Sequence, residues 1–314
     1  MRILVTGGAG FIGSHLCERL LRRGAEVCCL DNFYLGRRRN IAQLETSAGF
    51  NFVEQDLLDR AALDALFARS GFDEVFHLAA NSDIAAGIKD AELDLRLNQL
   101  TTLAVLEAMR AHRVSRLFFA STSAVFGESE ATLSEDDGPL RPISFYGASK
   151  LAAEGYISAY AHLHGMQAVI LRFPNVVGEH ATHGVIFDFL RKLKKNASEL
   201  EVLGDGHQTK PYLYVGDLIN AMLIAWEKSS ESVSVFHAAG IGETSVREIA
   251  EIVVHAAGKS DTRIRYTGGD RGWPGDVPRF RYDIARLKAL GWQPKRTSTE
   301  AVRYAVERVL ANGF

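Results

Sequence analysis

The chain has 314 residues, of which 47% are hydrophobic and 24% are charged, with 28 Gly and 7 Pro. This composition is that of a globular protein and excludes disordered, collagen-like and coiled-coil classes. The 36 Lys and Arg residues nearly balance the 38 Asp and Glu residues, which leaves a net charge of -2. No overall positive field would therefore hold a nucleic acid or an anionic membrane, and we expect neither as a partner.

The cysteines and the N-terminus indicate the environment of the chain. Cys17, Cys28 and Cys29 have no CxxC spacing, so no disulfide framework or zinc site is predicted. His180 and His183 form an HxxH pair, but no third ligand accompanies them, and we expect no metal. Residues 1–6 have no signal-peptide pattern, and no apolar run approaches the 18 residues of a membrane span. We expect a reduced, cytoplasmic protein.

Short runs rich in Val, Ile and Leu alternate with amphipathic segments over the first 175 residues. The short runs predict strands at 2–6, 26–31, 51–53, 74–78, 116–121 and 167–172. The segments between them have apolar residues three and four apart, which predicts helices at 11–23, 60–69, 91–112 and 146–164. Such alternation is typical of βαβ units, so we predict an α/β fold with a doubly wound parallel sheet.

After residue 174 the alternation loosens into helical patterns separated by Gly-rich loops. The predicted helices are 185–195, 215–227, 245–257 and 298–310. We interpret this part as a smaller lobe of mixed α/β structure that binds the substrate. The predicted domains are residues 1–175 and 176–314, with a chain crossover between the two lobes.

A glycine-rich segment follows the first predicted strand and leads directly into a helix. Its residues Gly7, Gly10 and Gly13 let the backbone approach a pyrophosphate, whose charge meets the N–H groups at the helix N-terminus. Asp31 ends the second predicted strand, 18 residues after Gly13. A carboxylate there accepts hydrogen bonds from an adenosine ribose and repels a 2′-phosphate. The pattern predicts a Rossmann sheet that binds NAD rather than NADP.

This region allows two other interpretations. A glycine-rich turn without a ligand would explain the glycines alone, but not the strand, helix and acid that accompany them. The three arginines at 37–39 would suit NADP, but they lie well past the strand end. We interpret them as a solvated basic loop.

Two further segments carry candidate catalytic groups. Tyr146 and Lys150 are four residues apart and share one face of a predicted helix. An ammonium near a phenol favours the phenolate, which predicts a lowered pKa for Tyr146 and a role as general base. Thr122, at the end of a predicted strand, would supply a hydroxyl to the same substrate oxygen. The YxxxK spacing alone also occurs by chance on helix surfaces, so this interpretation depends on the dinucleotide site beside it.

These segments make the chain resemble the extended short-chain dehydrogenase/reductase family, which includes the NAD-dependent nucleotide-sugar epimerases and dehydratases. The similarity covers nearly the whole chain. Its motifs, in order, are TGGAGFIG at 6–13, Asp56-Leu57, HLAA at 77–80, Asn98, YGASK at 146–150, RFPNVVG at 172–178 and LGDGHQTK at 203–210. Within the family it is most similar to UDP-galactose 4-epimerases, including a GDRGWPGD loop at 269–276.

The resemblance implies residues that contact the cofactor. They are Gly7, Gly10, Phe11, Ile12, Gly13, Asp31, Asn32, Asp56, Leu57, Leu78, Ala79, Ala80, Asn98, Ser121, Tyr146, Lys150 and Phe173. It implies Tyr146 as the base, Lys150 as the modulator of its pKa and a ribose ligand, and Thr122 as the hydroxyl partner.

The resemblance also implies a reaction. Related dehydratases carry Asp-Glu directly after the catalytic Thr, and uronate decarboxylases carry a Glu at the second position. Here those positions hold Ser123 and Ala124, and neither can act as the extra acid or base. A 4-epimerase needs no more, because its 4-keto sugar only turns over and takes the hydride back. This favours an isomerase of UDP-glucose and UDP-galactose type sugars.

The substrate contacts implied by the resemblance lie mainly in the second lobe. They are Thr122, Ser123, Tyr146, Asn175, Val185, Phe189, Leu203, Gln208, Lys210, Arg271 and Asp276. Lys210 stands where relatives have an Arg, and Trp273 replaces another Arg, which leaves Arg271 to reach the diphosphate. Phe280 falls where related epimerases limit the room beside the 2-substituent of the sugar.

Two alternatives remain open at this point. The sugar could be another nucleotide sugar, such as UDP-glucuronate, or the chain could be a catalytically silent NAD-sensing regulator of the same fold. The predicted helices 91–112 and 146–164 match those that pair across the dimer in the family, so we expect a homodimer.

Overall fold

The computed structural model describes residues 1–129, 131–269, 271–272 and 280–313. Its strands, numbered in chain order, are β1 Arg2–Thr6, β2 Glu26–Asp31, β3 Phe50–Glu54, β4 Glu74–His77, β5 Arg116–Thr122, β6 Thr132–Leu133, β7 Gln167–Phe173, β8 Val176–Val177, β9 Glu199–Val202, β10 Thr209–Lys210, β11 Leu213–Tyr214, β12 Val233–His237, β13 Thr244–Ser245, β14 Arg263–Tyr266 and β15 Arg281–Tyr282.

The α-helices are numbered in the same way. They are α1 Phe11–Arg22, α2 Arg60–Ser70, α3 Ile84–Lys89, α4 Ala91–Asp94, α5 Thr101–Ala111, α6 Phe145–His164, α7 Val185–Lys195, α8 Val215–Lys228, α9 Val246–Ala256, α10 Ala285–Ala289 and α11 Ser298–Ala311. None of the helices in the described part of the chain has the length and apolar character needed to cross a membrane.

A seven-stranded sheet has the order β3-β2-β1-β4-β5-β7-β12. The pairs β1–β2, β2–β3, β1–β4 and β4–β5 are all parallel. The strand order reverses beside β1, because β2 lies on one side of β1 and β4 on the other. This arrangement confirms the predicted doubly wound parallel sheet, and the crevice at such a reversal is where open α/β sheets bind ligands.

Alternate side chains of the strands enter two apolar layers. On β4, Val75 joins a core with Val105 of α5 and Ile157 of α6. Its neighbour Phe76 points to the opposite layer, since successive strand residues alternate in direction. There its ring centroid lies 4.9 Å from that of Trp226, which is 4% exposed. Both faces of the sheet are therefore buried, as a parallel sheet requires.

The chain folds into two compact units. The first contains Met1–Phe126, Pro139–Arg172 and Met222–Phe236, and the second contains Gly127–Gly138, Phe173–Ala221 and His237–Phe314. The seven-stranded sheet belongs almost wholly to the first unit. The assignment of a cofactor to one part and a substrate to the other stays a prediction.

The second unit has its own core and short sheets of both kinds. Apolar residues of α7, α9 and α11 surround Leu200 and Val202 of β9. The pairs β8–β11, β9–β14 and β6–β15 are parallel, whereas β10–β13 is antiparallel. Ser245 and Thr297 begin α9 and α11 with capping boxes, which satisfy the first N–H groups of each helix.

The predicted helix 91–112 differs from the structure. It is divided into α4, a π-helical segment Leu95–Leu100, and α5. A π-helical segment inserts an extra residue into the helical repeat, and hydrophobic spacing alone does not reveal this insertion. The segment places Asn98 in a buried position, at 1% exposure.

Candidate active site

The glycine-rich turn between β1 and α1 is too tightly packed for larger residues. Gly7 has a φ of +68°, and a Cβ there would lie 2.7 Å from the backbone nitrogen of Ala79. A Cβ on Gly13 would lie 2.1 Å from the carbonyl oxygen of Gly7. Among the described residues no side chain caps α1 at Gly10, and its first turn holds no acid. The N–H groups of Phe11 and its neighbours thus form an open anion site.

Asp31 lies at the end of β2, directly beside this turn. Its Oδ2 accepts a hydrogen bond of 3.0 Å from Ala9 N, and its Oδ1 accepts one of 2.8 Å from Phe33 N. Burial raises the pKa of this carboxyl, and the N–H donors oppose the rise. Gly36 leaves room for the Asp31 carboxylate, because a Cβ at position 36 would lie 2.7 Å from Asp31 Oδ1. The carboxylate is therefore fixed in orientation.

The other predicted cofactor contacts near this turn differ in their burial. Asn32 Nδ2 donates to Asp56 Oδ2 at 3.2 Å, so these two residues lie together. Leu57 is buried in the core of the first unit. Leu78, Ala79 and Ala80 follow β4 and are half-buried.

His77, the first residue of the HLAA motif, has a role that the sequence analysis missed. Its ring is fully buried, with Nδ1 2.6 Å from Thr6 Oγ1 and Nε2 3.0 Å from Thr102 Oγ1. Thr102 donates to Asn98 O at 2.6 Å, and Ala79 N donates to Thr6 Oγ1 at 3.3 Å. These directions place the imidazole proton on Nε2. Burial, with a contribution from the nearby Lys150 ammonium, lowers the pKa of His77 to about 3 and keeps the ring neutral.

The predicted catalytic residues converge within the first unit. Thr122 ends β5, and Ser144 caps α6, which begins at Phe145. A short 3₁₀ turn after Thr122 packs on the start of α6, where a Cβ on Gly147 would lie 2.4 Å from Ala124 O. This contact brings the Thr122 hydroxyl close enough to the Tyr146 phenol to influence its pKa. Gly147 is thus required for the approach of the strand end to the helix.

The structure contradicts the predicted lowering of the Tyr146 pKa. Burial raises the pKa of Tyr146 to about 12, and the nearby Thr122 hydroxyl opposes the rise. Lys150 is 2% exposed, and its Nζ donates to Ala120 O at 2.8 Å and lies 4.5 Å from the centre of the Phe119 ring. Burial lowers the pKa of Lys150 to about 7. The sequence spacing predicted the pairing of phenol and ammonium, but gave no measure of how far both groups are desolvated.

Beneath this cluster lies a buried ion pair that the sequence analysis missed. Glu154 accepts two hydrogen bonds from Arg172, Nε to Oε1 at 3.0 Å and Nη2 to Oε2 at 2.6 Å. Ser121 Oγ donates to the same carboxylate, so the hydroxyl of this predicted cofactor contact is already engaged. Glu154 stands four residues after Lys150 on α6, and that spacing is the signal that could have found it.

The substrate contacts predicted for the second unit are placed in several ways. Asn175 is exposed and Val185 is half-buried at the start of α7. Phe189 lies in the core of this unit, and Leu203 is exposed. Phe173, a predicted cofactor contact, ends β7 and is half-buried. Ser123, in the first unit, is half-buried, and Asp276 and Trp273 lie outside the described residues.

The polar members of that set are more informative. Gln208 is 3% exposed, and neither amide atom has a hydrogen-bond partner among the described residues. Lys210 is buried, and Arg271 is exposed with its Nη1 2.6 Å from Glu128 Oε1. Phe280 is buried with its ring centroid 5.7 Å from that of Tyr282. A buried amide without partners is costly, which is consistent with a group kept for a ligand.

Comparisons with known proteins agree with this geometry. The sequence model of the NAD dependent epimerase/dehydratase family matches residues 3–239. A UDP-glucose 4-epimerase of Mycolicibacterium smegmatis is 33% identical over 313 residues, covering 98% of each protein. The crystal structure of Thermus thermophilus UDP-glucose 4-epimerase in complex with NAD has a TM-score of 0.88 at 35% identity, covering 99% of each chain.

A second solved structure is similar in fold but has a different substrate. It is the UDP-glucuronic acid 4-epimerase of Bacillus cereus in complex with UDP-glucuronic acid and NAD, with a TM-score of 0.88 at 28% identity. The alignment covers 99% of this chain and 100% of that one. Similarity to both structures leaves more than one sugar compatible with the same scaffold.

Proposed function

We propose that this chain, which belongs to the NAD dependent epimerase/dehydratase family, is a nucleotide-sugar 4-epimerase acting on UDP-glucose and UDP-galactose type sugars. The observation that carries this proposal is the convergence of Thr122 and Tyr146, where the turn after β5 packs on the start of α6, with Lys150 on the next turn of the same helix. Ser123 and Ala124 follow Thr122 directly. Neither has an acidic or basic side chain for an elimination, and this favours epimerisation over dehydration.

NAD is the cofactor of this family, as the sequence predicted. The residues present fit it: the turn at Gly7 and Gly13 exposes the N–H groups of an uncapped helix, and Asp31 stands beside them with its carboxylate fixed. When bound, NAD supplies the hydride acceptor. We assign its binding to the first unit and the binding of the nucleotide sugar mainly to the second.

The chain's own groups would handle the proton at the C4 hydroxyl of the sugar. In its phenolate form Tyr146 would take this proton at Oη as hydride leaves C4, and Thr122 would donate a hydrogen bond to the same oxygen. Lys150, one turn further along α6, would favour the phenolate as long as it is protonated. After the 4-keto sugar has turned over, Tyr146 returns the proton as hydride arrives on the opposite face. No net oxidation occurs, so one bound cofactor serves each cycle.

A direct assay tests this reaction. Purified protein receives UDP-galactose without added NAD, and formation of UDP-glucose is followed by chromatography. We expect turnover without added cofactor, because NAD is recycled within the cycle. A panel with UDP-glucuronate and UDP-N-acetylglucosamine identifies the preferred sugar. Absence of C4 inversion for every sugar, even with NAD added, would contradict the proposal and favour the NAD-sensing regulator.

We also propose a homodimer formed through α6. Phe145, Tyr156 and Leu163 of this helix are 50%, 46% and 71% exposed and lie on its outer side. Such a run of exposed apolar side chains on one helix is typical of an association surface. Sedimentation of wild type and Tyr156→Glu tests this, with Tyr34→Glu, at another exposed tyrosine, as the control. We expect a dimer that only Tyr156→Glu dissociates, and a monomeric wild type would refute it.

A further inference from the structure

Asp94 ends α4, immediately before the π-helical segment, and is 1% exposed. The carboxylate fits closely against Gly87 of α3, where a Cβ would lie 2.0 Å from Asp94 Oδ2. Any larger residue at position 87 would therefore displace the carboxylate. The local structure is built around this buried acid, which the mechanism above does not use.

The two oxygens of Asp94 have different surroundings. Oδ1 accepts hydrogen bonds from Asn81 Nδ2 at 2.8 Å and from Asn98 Nδ2 at 3.2 Å. Oδ2 has no hydrogen-bond partner among the described residues. Burial raises the pKa of this carboxyl, and the two amides oppose the rise. A buried carboxylate with one unmatched oxygen reduces stability, so its retention calls for an explanation.

The hydrogen bonds of Asn98 lead from Asp94 to the helix that carries Tyr146. Asn98 Oδ1 accepts from Asn81 N at 2.7 Å, which fixes the orientation of the amide. Asn98 Nδ2 then donates both to Asp94 and, at 2.9 Å, to Ser149 Oγ. Ser149 Oγ in turn donates to Tyr146 O at 2.8 Å. The chain of hydrogen bonds that starts at Asp94 thus ends on the backbone of Tyr146.

We propose that Asp94 is a positioning residue: by orienting the Asn98 amide it holds Ser149 and, through Ser149, the first turn of α6 that carries Tyr146. The inference rests on the proposed function of Tyr146 as the base. Asp94 itself does not touch the reacting atoms. It connects the π-helical segment to the catalytic helix, and a π-helical segment beside a functional site is a recurrent feature of proteins.

The charge of Asp94 supports the same role. The titratable groups that interact with Lys150 are Glu154 on its own helix, Asp94 on α4 and the neutral His77 on β4. Asp94 and Glu154 both raise the pKa of Lys150 against the effect of burial, and Asp94 also raises that of Tyr146. Loss of the negative charge would therefore lower both pKa values.

Two variants at this position separate hydrogen bonding from charge. Asp94→Asn keeps an oxygen for the two amides and removes the charge, whereas Asp94→Ala removes both. We expect kcat to fall about tenfold in Asp94→Asn and about 100-fold in Asp94→Ala, with KM within about twofold of wild type. Both limbs of the pH profile of kcat should move to lower pH in Asp94→Asn. The control is Asp83→Asn, because Asp83 caps α3 nearby and Asn is an equally good cap.

Amide hydrogen exchange gives a second readout that does not depend on turnover. We expect the amides of residues 146–150 to exchange faster in Asp94→Ala than in wild type, and Asp83→Asn to match wild type. Wild-type kcat, pH profile and exchange in both Asp94 variants would overturn the proposal. If even the wild type turns over no sugar, the proposed function is contradicted. Hydrogen exchange then remains as the test of the positioning role. In that case unchanged exchange in Asp94→Ala would refute the positioning role.

Discussion

The predicted functional side chains of the two units differ in how far they are hydrogen-bonded within the protein. In the first unit Lys150 and Asn98 are held by defined hydrogen bonds to Ala120 and Ser149, and the Thr122 hydroxyl lies beside the phenol of Tyr146. In the second, both amide atoms of Gln208 lack a partner among the described residues, and the exposed Arg271 is paired with an acid. The proposed reaction chemistry is thus organised in advance, whereas the proposed substrate contacts are not.

Each arrangement lowers the stability of the folded protein in its own way. A preorganised site requires buried charges, such as Lys150 and Glu154, whose desolvation opposes folding. An unorganised site leaves polar groups unsatisfied until a ligand arrives. Substitutions in the first unit should therefore alter kcat and the pH dependence of stability. Substitutions in the second should alter KM and stability without altering the chemistry.

The largest expected effect is that of Tyr146→Phe. Because this variant removes the hydroxyl that takes the proton and leaves the ring in place, we expect kcat to fall on the order of 10³-fold, the size of a general-base contribution. The melting temperature should stay close to that of wild type. Tyr160→Phe, on the same helix but bonded to Glu107 instead, is the control. A Tyr146→Phe variant with a tenth or more of the wild-type rate would exclude Tyr146 as the base.

Next in size is the effect of Lys150→Met on folding. The pKa of Lys150 is about 7 in the folded protein and about 10.4 in an unfolded chain. Below pH 7 both states bind the proton, and the folded state bears the full cost of a buried ammonium. Between pH 7 and 10.4 only the unfolded state binds it, so wild-type stability rises with pH.

Methionine removes that cost and leaves Ala120 O without its donor. We expect Lys150→Met to be more stable than wild type by about 2–4 kcal/mol at pH 6, with the difference shrinking towards pH 10. Denaturant unfolding at pH 6 and pH 9.5 measures both values. An equal difference at the two pH values would show that the lysine is not desolvated in the folded state.

The positions of many helices and strands in both units could be predicted from the sequence. The strand 26–31 was predicted with the bounds of β2, and helix 185–195 with those of α7. Hydrophobic periodicity carries this information because it reflects which face of each element is buried. The need for glycine at positions 7 and 13 could also be predicted, since a Cβ at Gly7 or Gly13 would meet backbone atoms.

The polar network could not be predicted in the same way. Asn81, Asp94 and Ser149 come from a loop and two separate helices, and their hydrogen bonds depend on a π-helical insertion that spacing does not reveal. The predicted lowering of the Tyr146 pKa was wrong for a related reason. The sequence shows that an ammonium is near, but the direction of the shift depends on the burial of both groups.

A smaller effect is expected for Gln208→Met in the second unit. Methionine has a similar length and carries no polar amide, so the unliganded protein should gain about 1–2 kcal/mol in the free energy of unfolding. If the amide is kept for the nucleotide sugar, KM should rise while kcat changes little. Gln99→Met is the control, since its buried Oε1 also lacks a partner among the described residues. It should gain stability with unchanged KM, and a Gln208→Met variant with wild-type KM would contradict a substrate role.

The smallest expected effect is that of Glu128→Gln, which removes the acid paired with Arg271. The two side chains are 48% and 41% exposed, so the pair contributes at most about 1 kcal/mol and stability should hardly change. Arg271 should nevertheless bind the diphosphate more readily, because the carboxylate of Glu128 no longer competes for its guanidinium. We expect KM for the nucleotide sugar to fall about twofold to fivefold, the change that about 0.5–1 kcal/mol produces. Glu243→Gln removes the acid of another ion pair in the same unit, the pair with Arg281, and should leave KM unchanged. Equal KM values in wild type and Glu128→Gln would mean that Arg271 does not contact the diphosphate. We would then infer that Lys210 makes this contact.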